Sequence, residues 1–165
     1  MPKQIELDIT YLKMADEWAQ LSKAIRRKVG CLIVRDSQII SDGYNGTPAG
    51  FDNICEVVNE GFHHRAENKL QTKPEVLHAE SNALMKLAKS TNSSKDSTIY
   101  LTMSPCFDCA KLIIQAGVVR VVYSERYRNV QGIEFLQSNN IIAELVTVPE
   151  VRTISAIHDG SGYEC

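Results

Sequence analysis

The chain has 165 residues, 44% of them hydrophobic and 23% charged, which is enough for one globular domain with a hydrophobic core. Its net charge of -2 gives no sign of the strongly basic surface that binds DNA or RNA, so we expect no nucleic-acid polymer as a partner. No apolar run approaches the ~20 residues of a membrane span, and the first residues lack a signal-peptide core. We therefore expect a single cytoplasmic domain over residues 1–165 that does not contact a membrane.

The first predicted elements are a helix and a β-hairpin. Apolar residues recur at helical spacing over residues 9–25, and Asp8 is placed to cap this helix. Two strands follow over residues 29–36 and 38–44, joined by a tight turn at 36–37. The first strand is almost wholly apolar, which predicts that it is buried on both faces.

Residues 45–75 show no clear periodicity, and a loop of this length is often functional. After it, the predicted elements alternate between helix and strand. They are a helix over 78–89, a strand over 97–103, a helix over 106–117 that Gly117 ends, a strand over 118–124, a weaker helix over about 127–138 and a strand over 141–148.

This order of elements predicts an α/β fold. Strands separated by helices imply crossover connections and a largely parallel sheet with helices on both faces, to which the opening hairpin adds an antiparallel pair. Sites in such sheets form outside the carboxyl ends of the strands, where helices begin. Both groups of candidate functional residues, around His78 and around Cys106, fall at predicted helix starts.

Five cysteines at uneven spacing argue against a disulfide framework in a cytoplasmic chain. Two of them, Cys106 and Cys109, form a C-x-x-C pair behind Pro105 at the start of a predicted helix, where positions i and i+3 share a face. Alone, the pair is equally compatible with a redox pair, half of a structural zinc site or chance. A four-cysteine zinc site needs a second C-x-x-C, which the chain lacks.

His78 offers a third ligand, because its helix start and that of Cys106 lie on either side of the same predicted strand. Three protein ligands leave one position of a tetrahedral zinc open, which is typical of a catalytic site. At an irregular first turn, Glu80 can face that position and carry a proton from a zinc-activated water to a leaving nitrogen. Taken singly, His78 is more often a cap or a packed histidine, and Glu80 more often complements the helix dipole.

Together these residues match a known series of motifs. H-x-E followed by P-C-x-x-C is the signature of zinc nucleobase deaminases. Further segments resemble the deoxycytidylate deaminase family over residues 22–127. They are VGCLIV, SDGYNGTPAG, AENKLQTK, HAESNAL, SPCFDCAKLIIQAGVVRVVY and ERYR.

This resemblance implies a cytidine deaminase-like three-layer sandwich, in which a mixed five-stranded sheet has helices on both faces. The implied activity is hydrolysis of dCMP to dUMP and ammonia, which supplies dUMP for thymidylate synthesis, with one catalytic Zn2+ per chain. The family also implies a homohexamer that dCTP activates and dTTP inhibits, each effector binding with Mg2+.

The resemblance assigns His78, Cys106 and Cys109 as zinc ligands and Glu80 as the proton shuttle. Four more positions match substrate-binding residues of the family: Asn45 at the sugar hydroxyl, and Ser22, Lys23 and Tyr127 towards the phosphate. A solvated Lys23 and a packed Tyr127 are the alternatives. The basic run 26–28 would also suit a phosphate, but we favour its interaction with the end of the preceding helix.

The effector site implied by the resemblance uses the G-Y-N-G loop and the long loop after it. Its residues are Gly43, Tyr44, Gly46, His63, His64, Arg65, Glu67 and Lys69. For the His-His-Arg stretch, a solvated loop end is the alternative. Some phage members of the family hold a second zinc, but Cys55 with His63 or His64 offers too few ligands. Cys31 is expected in the core, and we expect no role for the terminal Cys165.

Other functions stay open at this point. A broader deaminase that also acts on dCTP, or a tRNA-editing deaminase, would carry the same motif. A catalytically silent zinc-binding assembly protein would keep the same fold. The weak net charge argues against tRNA, and the presence of Glu80, which the fold alone does not require, argues against a silent protein.

Overall fold

A mixed five-stranded sheet organises the part of the chain that the computed structural model describes, residues 2–59 and 69–149. The helices are α1 Gln4–Ala19, α2 Ala79–Leu87, α3 Phe107–Gln115 and α4 Gln131–Ser138. The strands are β1 Gly30–Arg35, β2 Gln38–Tyr44, β3 Glu56–Asn59, β4 Lys69–Thr72, β5 Thr98–Met103, β6 Arg120–Glu125 and β7 Ile142–Leu145.

The strands of the large sheet lie in the order β2-β1-β5-β6-β7. β1 is antiparallel to both of its neighbours, whereas β5, β6 and β7 run parallel to one another. The mixed sheet is therefore confirmed, although only half of its pairings are parallel. This order brings the carboxyl ends of β2, β5 and β6 and the start of β1 to the same edge of the sheet.

Helices cover both faces of the sheet, as predicted. α1 lies on one face, where Leu12 and Ala15 pack against Leu32, Tyr100 and Val122. The other three helices cover the opposite face through a larger core that includes Cys31, Ile33, Ala83, Leu87, Ile99, Leu101, Ile113, Val121 and Leu136. Successive residues of β1 alternate between the two cores, which explains why this strand is apolar throughout. Over the described residues, none of the helices combines the length and the apolar character that a membrane crossing requires.

The hairpin between β1 and β2 turns at the two predicted residues. Asp36 and Ser37 have φ angles of 52° and 61°. Positive φ at both central positions is the geometry of a two-residue type I′ turn, whose twist matches that of the flanking strands. The tight turn fixes the pairing of β1 with β2, and hence which residues of β2 face the helices.

α1 differs from the prediction in both its ends and its cap. It begins at Gln4 and ends at Ala19, so Asp8 lies inside the helix instead of capping it. Asp8 is buried and forms an ion pair with Arg120 at 2.7 Å. This partner on a distant strand, invisible to helical periodicity, explains an aspartate at a mid-helix position. At the other end, Ile25 is 73% exposed and does not continue the apolar stripe of the helix.

The remaining helices of the sandwich agree with the prediction in position but are shorter at their ends. α2 and α3 each begin one residue later than predicted, so that His78 and Cys106 become their N-cap residues. Gly117, with φ of 74°, follows the end of α3 as predicted. α4 begins only at Gln131. The last three strands are likewise confirmed, with β5 and β7 shorter than predicted and β6 shifted to end one residue later, at Glu125.

A small hairpin in the segment 45–75 was missed by sequence analysis. β3 and β4 form a separate two-stranded antiparallel sheet in which Glu56 pairs with Thr72. Its strands are four residues long, and the adjacent Val57 and Val58 are both exposed, so no alternating pattern marks it. The hairpin lies beside the irregular segment between α1 and β1, through a small core of Ala24, Cys55 and Val76.

Candidate active site

Three potential metal ligands converge where α2 and α3 begin. The Nδ1 atom of His78 lies 3.5 Å from the Sγ atom of Cys106 and 3.4 Å from that of Cys109. All three ligand atoms lie within 4.8 Å of one another. The sequence prediction that β5 brings the two helix starts together therefore agrees with the structure.

The donor set fits zinc. Tetrahedral coordination with Zn–S bonds of about 2.3 Å and Zn–N bonds of about 2.05 Å separates a sulfur and a nitrogen ligand by about 3.5 Å. The two observed separations of 3.5 Å and 3.4 Å match this value. Two thiols and one imidazole are also the ligand types that zinc prefers, and three of them leave the fourth position open for a reacting molecule.

Local contacts hold each ligand at its helix start. Leu77, immediately before His78, forms two backbone hydrogen bonds with Gly46, at 2.9 Å and 3.1 Å. Gly132 of α4 packs so closely on the turn before α3 that a Cβ there would lie 2.2 Å from the Pro105 carbonyl oxygen. A loop after β2 therefore supports the histidine, and α4 supports the turn that carries Cys106.

The hydrogen bond between the two thiols shifts their pKa values in opposite directions. A hydrogen bond from Cys109, assisted by His78, lowers the pKa of Cys106 to about 4. The same hydrogen bond raises the pKa of Cys109, because its thiol donates to the Cys106 thiolate. The hydrogen bond with Cys106 likewise raises the pKa of His78. Because thiols bind zinc as thiolates, the affinity for metal falls as pH falls.

Glu80 lies within the same site but is not one of the converging ligands. Because His78 is an extended N-cap residue, the regular helix begins after it, and this brings Glu80, only two residues further, into the same cleft. Its side chain is buried, with 4% exposed. Burial raises the pKa of the Glu80 carboxyl, which also forms a hydrogen bond with Cys109.

These residues form the inner end of a cleft that opens to solvent. Its lining comes from the two helix starts, from the carboxyl ends of β5 and β6, and from the segments around β1 and the β3–β4 hairpin. The lining residues are Arg26, Arg27, Val29, Asn45, Glu56, Thr72, Val76, His78, Ala79, Glu80, Met103, Ser104, Cys106 and Tyr127.

The four residues assigned to substrate by resemblance fall at different depths. Asn45 lines the cleft, and its amide donates to the Arg27 carbonyl and accepts from the Val29 N–H, both at 2.8 Å. Tyr127 lines the cleft from the β6 side. Ser22 is buried beneath the site, where its hydroxyl donates to the Asn45 carbonyl at 2.7 Å. Lys23 is exposed and does not line the cleft.

The structure corrects part of the sequence interpretation of the basic run 26–28. Arg26 and Arg27 do not lie at a helix end, because α1 ends at Ala19, and both line the cleft. The predicted interaction of the basic run with the end of the preceding helix is therefore wrong for Arg26 and Arg27. It agrees with the structure for Lys28, whose Nζ donates to the carbonyl of Gln20, the C-cap residue, at 3.4 Å.

Several cleft residues were missed by sequence analysis, including Glu56 and Thr72 of the small hairpin. They lie in the segment without periodicity, and no motif marks them. Met103 and Ser104, at the end of β5, carried one usable signal, because they directly precede the P-C-x-x-C motif at a strand end.

Gly43, Tyr44 and Gly46 of the predicted effector site contact α2 and the residue before its N-cap. Gly43 is buried, and a Cβ there would lie 2.3 Å from the Ala79 carbonyl oxygen, so close packing of the helix explains this glycine. The Tyr44 carbonyl accepts from the Asn82 side chain at 2.7 Å, and Gly46 forms the bridge to Leu77. Lys69 is described only as a backbone position of β4. The other four residues lie outside the described residues: His63, His64, Arg65 and Glu67.

Among the described residues, Cys31 and Cys55 do not join the metal-ligand cluster. Cys31 is fully buried in the core, as predicted, and burial raises the pKa of its thiol. Cys55 is buried beside Ala24 and Val76. Cys165 lies outside the described residues, as do the histidines considered for a second zinc.

Comparison with known proteins identifies similar chains. Residues 5–125 match the family described as the cytidine and deoxycytidylate deaminase zinc-binding region. The deoxycytidylate deaminase of Enterobacteria phage T4 is 33% identical over 173 residues, covering 86% of this chain and 89% of that protein. The deoxycytidylate deaminase of Homo sapiens is 41% identical over 114 residues, which cover 67% of this chain and 61% of that protein.

A solved structure shares the fold. The dCMP deaminase of the cyanophage S-TIM5, in complex with dCMP and dUMP, is 42% identical and superposes with a TM-score of 0.77. The match covers 88% of this chain and 99% of the cyanophage chain.

Proposed function

Because this chain belongs to the cytidine and deoxycytidylate deaminase family, we propose that it hydrolyses dCMP to dUMP and ammonia. The observation that carries the proposal is the convergence of His78, Cys106, Cys109 and the buried Glu80 in one cleft. The fold is that of the family, with the mixed sheet and helices on both faces. We further propose that residues 1–165 form a single deaminase domain.

The reaction exchanges a carbon–nitrogen bond for a carbon–oxygen bond. The oxygen of water becomes the C4 carbonyl oxygen of the pyrimidine, and the C4 amino group leaves as ammonia. Of the two protons of water, one ends on ring N3 and the other on the leaving amine. When bound by His78, Cys106 and Cys109, zinc supplies a Lewis acid that lowers the pKa of water to about 7.

Glu80 carries the protons in this proposal. Its carboxylate accepts the two protons of water one after the other, donating the first to ring N3 and the second to the leaving amine, in the manner of a general acid–base catalyst. Burial raises the pKa of Glu80, which makes the protonated form accessible nearer neutral pH. A raised pKa suits a carboxyl group that both accepts and returns a proton.

The outer part of the cleft suits a nucleoside monophosphate. Arg26 and Arg27 line it together with Tyr127, and a dianionic phosphate forms its strongest hydrogen bonds with guanidinium groups. Asn45 also lines the cleft, and we propose that it contacts a sugar hydroxyl of the substrate. We propose that Ser22 acts through Asn45, which it contacts. Lys23 is proposed as a phosphate contact on resemblance alone.

Regulation is also proposed on the basis of the resemblance. We infer a cytoplasmic homohexamer that supplies dUMP for thymidylate synthesis, is activated by dCTP and is inhibited by dTTP, each with Mg2+. The contacts of Tyr44 with Asn82 and of Gly46 with Leu77 support a physical connection between the proposed effector loop and α2. A movement of this loop would reach the helix that begins beside His78.

The proposed function is tested by an ammonia-release assay on dCMP, with dCTP, deoxycytidine and tRNA as alternative substrates. We expect turnover of dCMP, and a loss of about 10²–10⁴-fold or more in kcat for Glu80→Gln with zinc content unchanged. Glu75→Gln, which changes a carboxylate outside the cleft, is the matched control and should retain activity. Near-normal turnover by Glu80→Gln, or activity on tRNA alone, would contradict the proposal.

A further inference from the structure

The β3–β4 hairpin contacts the irregular segment that carries the cleft arginines. Glu56 is buried, with 7% exposed, and lies in the cleft lining. Its Oε1 atom accepts hydrogen bonds from the backbone N–H groups of Ile25 and Arg26, at 3.1 Å and 3.2 Å. One carboxylate oxygen therefore holds two successive peptide groups.

The strand opposite Glu56 contacts the same arginine at its other end. Thr72 pairs directly with Glu56 in the register of the hairpin. Its Oγ1 atom accepts a hydrogen bond from Nη1 of Arg26 at 3.0 Å. Arg26 is thus held twice by one small element, at its backbone by Glu56 and at its guanidinium by Thr72.

The segment between α1 and β1 needs such support, because residues 22–29 form neither helix nor strand. An arginine on an irregular and exposed segment keeps much rotational freedom, which a ligand must remove on binding. Hydrogen bonds from N–H groups to a charged acceptor are among the stronger ones, so Glu56 is suited to fix the backbone before the ligand arrives.

We propose that Glu56 and Thr72 are positioning residues, which hold Arg26 in the orientation that binds the phosphate of the substrate. This inference rests on the proposed function. Neither residue takes part in proton transfer, since the proton shuttle is Glu80. The hairpin contributes to the KM for a phosphorylated substrate and leaves kcat largely unchanged.

The charge of Glu56 distinguishes positioning from a direct effect on the ligand. A carboxylate close to a dianionic phosphate weakens phosphate binding by repulsion. Glu56→Gln removes the charge but keeps a carbonyl oxygen that can accept both backbone N–H groups. If Glu56 positions Arg26, Glu56→Gln should bind the substrate phosphate as the wild type does. If the negative charge itself were required, Glu56→Gln should weaken phosphate binding as much as Glu56→Ala.

The experiment measures kcat and KM for dCMP in four variants, alongside zinc content and thermal melting. For Glu56→Ala we expect KM to rise about tenfold and kcat to stay within about twofold, because the hydrogen bonds to a charged group are lost. Glu56→Gln should restore KM to near the wild-type value. Thr72→Val should raise KM by a smaller factor. Val57→Ala, at the next and exposed position of β3, is the matched control.

A double-mutant cycle separates positioning from general damage to the fold. If Glu56 acts through Arg26, Glu56→Ala should add little to the effect of Arg26→Ala on KM, whereas independent effects would add in free energy. Additive effects of the two substitutions, or an unchanged KM in Glu56→Ala, would overturn the positioning role of Glu56. Neither result would affect the proposed function, provided that the wild type turns over dCMP. If Glu56→Ala does not fold, an unchanged KM in Thr72→Val overturns the positioning role equally. A wild type inactive on dCMP would reject both proposals.

Discussion

At the residue scale, the site depends on side chains placed at helix N-caps. His78 and Cys106 both occupy this position, with extended backbones, and neither makes a side-chain capping hydrogen bond. The free N–H groups and the positive dipole end of each helix therefore lie close to the metal ligands, where they favour thiolate over thiol. A serine or aspartate would serve helix capping better, so the choice of histidine and cysteine points to the chemistry of the site.

A second feature at this scale is an ion pair at the mouth of the cleft. Arg27 lies 2.8 Å from Glu125, and both side chains are largely exposed. Such pairs contribute little to stability, but this one competes with a phosphate for Arg27. We expect Glu125→Gln to lower the KM for dCMP by about two- to fivefold at low salt, the range that an exposed ion pair can supply.

The measurement is KM for dCMP at low and high ionic strength. The gain should shrink at high salt, which screens exposed charges. Glu134→Gln, on the exposed face of α4 and away from the cleft lining, provides the comparison. A KM that rises in Glu125→Gln would show that Glu125 orients Arg27 and does not compete for it.

At the scale of elements, close packing at two glycines determines where the ligand-bearing helices lie. Gly43 lets β2 approach the first turn of α2, and Gly132 lets α4 approach the backbone of Pro105 and Cys106. In each case the atom nearest to an added Cβ would be a backbone carbonyl oxygen, which cannot rotate away. The helix positions therefore depend on the absence of a Cβ.

Gly132→Ala tests this packing. The added methyl would lie 2.2 Å from the Pro105 carbonyl oxygen and 2.9 Å from the Cys106 carbonyl carbon, so α4 or the turn must move. Overpacking of this kind costs about 1–3 kcal/mol, and we expect a lower melting temperature together with reduced zinc content. Gln131→Ala, at the neighbouring exposed position, should change neither. Full zinc occupancy in Gly132→Ala would mean that the turn tolerates the shift.

At the scale of the whole molecule, a charge network ties α1 to the sheet on the side away from the active site. Asp8 accepts hydrogen bonds from Arg120, Gln4 and Tyr100, and Arg120 also contacts Glu144. The network joins α1 to β5, β6 and β7. Burial raises the pKa of Asp8, but the hydrogen bonds, above all from Arg120, outweigh this, and the pKa is lowered from 3.8.

The lowered pKa of Asp8 determines how the free energy of unfolding changes with pH. A carboxyl group whose pKa is lower in the folded state stabilises the fold above its unfolded pKa, and this contribution disappears as pH falls through the folded pKa. We expect Asp8→Asn to lose about 2–3 kcal/mol of unfolding free energy at pH 7. Breaking a buried ion pair costs about 3–5 kcal/mol. We expect a smaller loss here because Arg120 retains its ion pair with Glu144.

Chemical denaturation at pH 7 and at successively lower pH checks this expectation. The difference between the wild type and Asp8→Asn should narrow as Asp8 becomes protonated below pH 3.8. Asp16→Asn, an exposed change on the same helix, controls for the loss of one charge. A difference that stayed constant on acidification would show that Asp8 contributes through shape and not through its charge.

Sequence alone was sufficient for the features that depend on local order: the alternation of helices and strands, the turn at Asp36 and Ser37, and the H-x-E and P-C-x-x-C motifs that meet in space. These follow from short-range rules, because periodicity, turn residues and the crossover of a parallel pair each involve neighbouring segments. The tertiary structure decided what depends on distant partners. The partner that explains Asp8 is Arg120, which lies far along the chain and leaves no local signal. The setting of Arg26 and Arg27 depends on where α1 ends, and helical periodicity does not determine that end. Glu56 carried no local signal at all, since its role arises only when the small hairpin packs beside the segment that it holds.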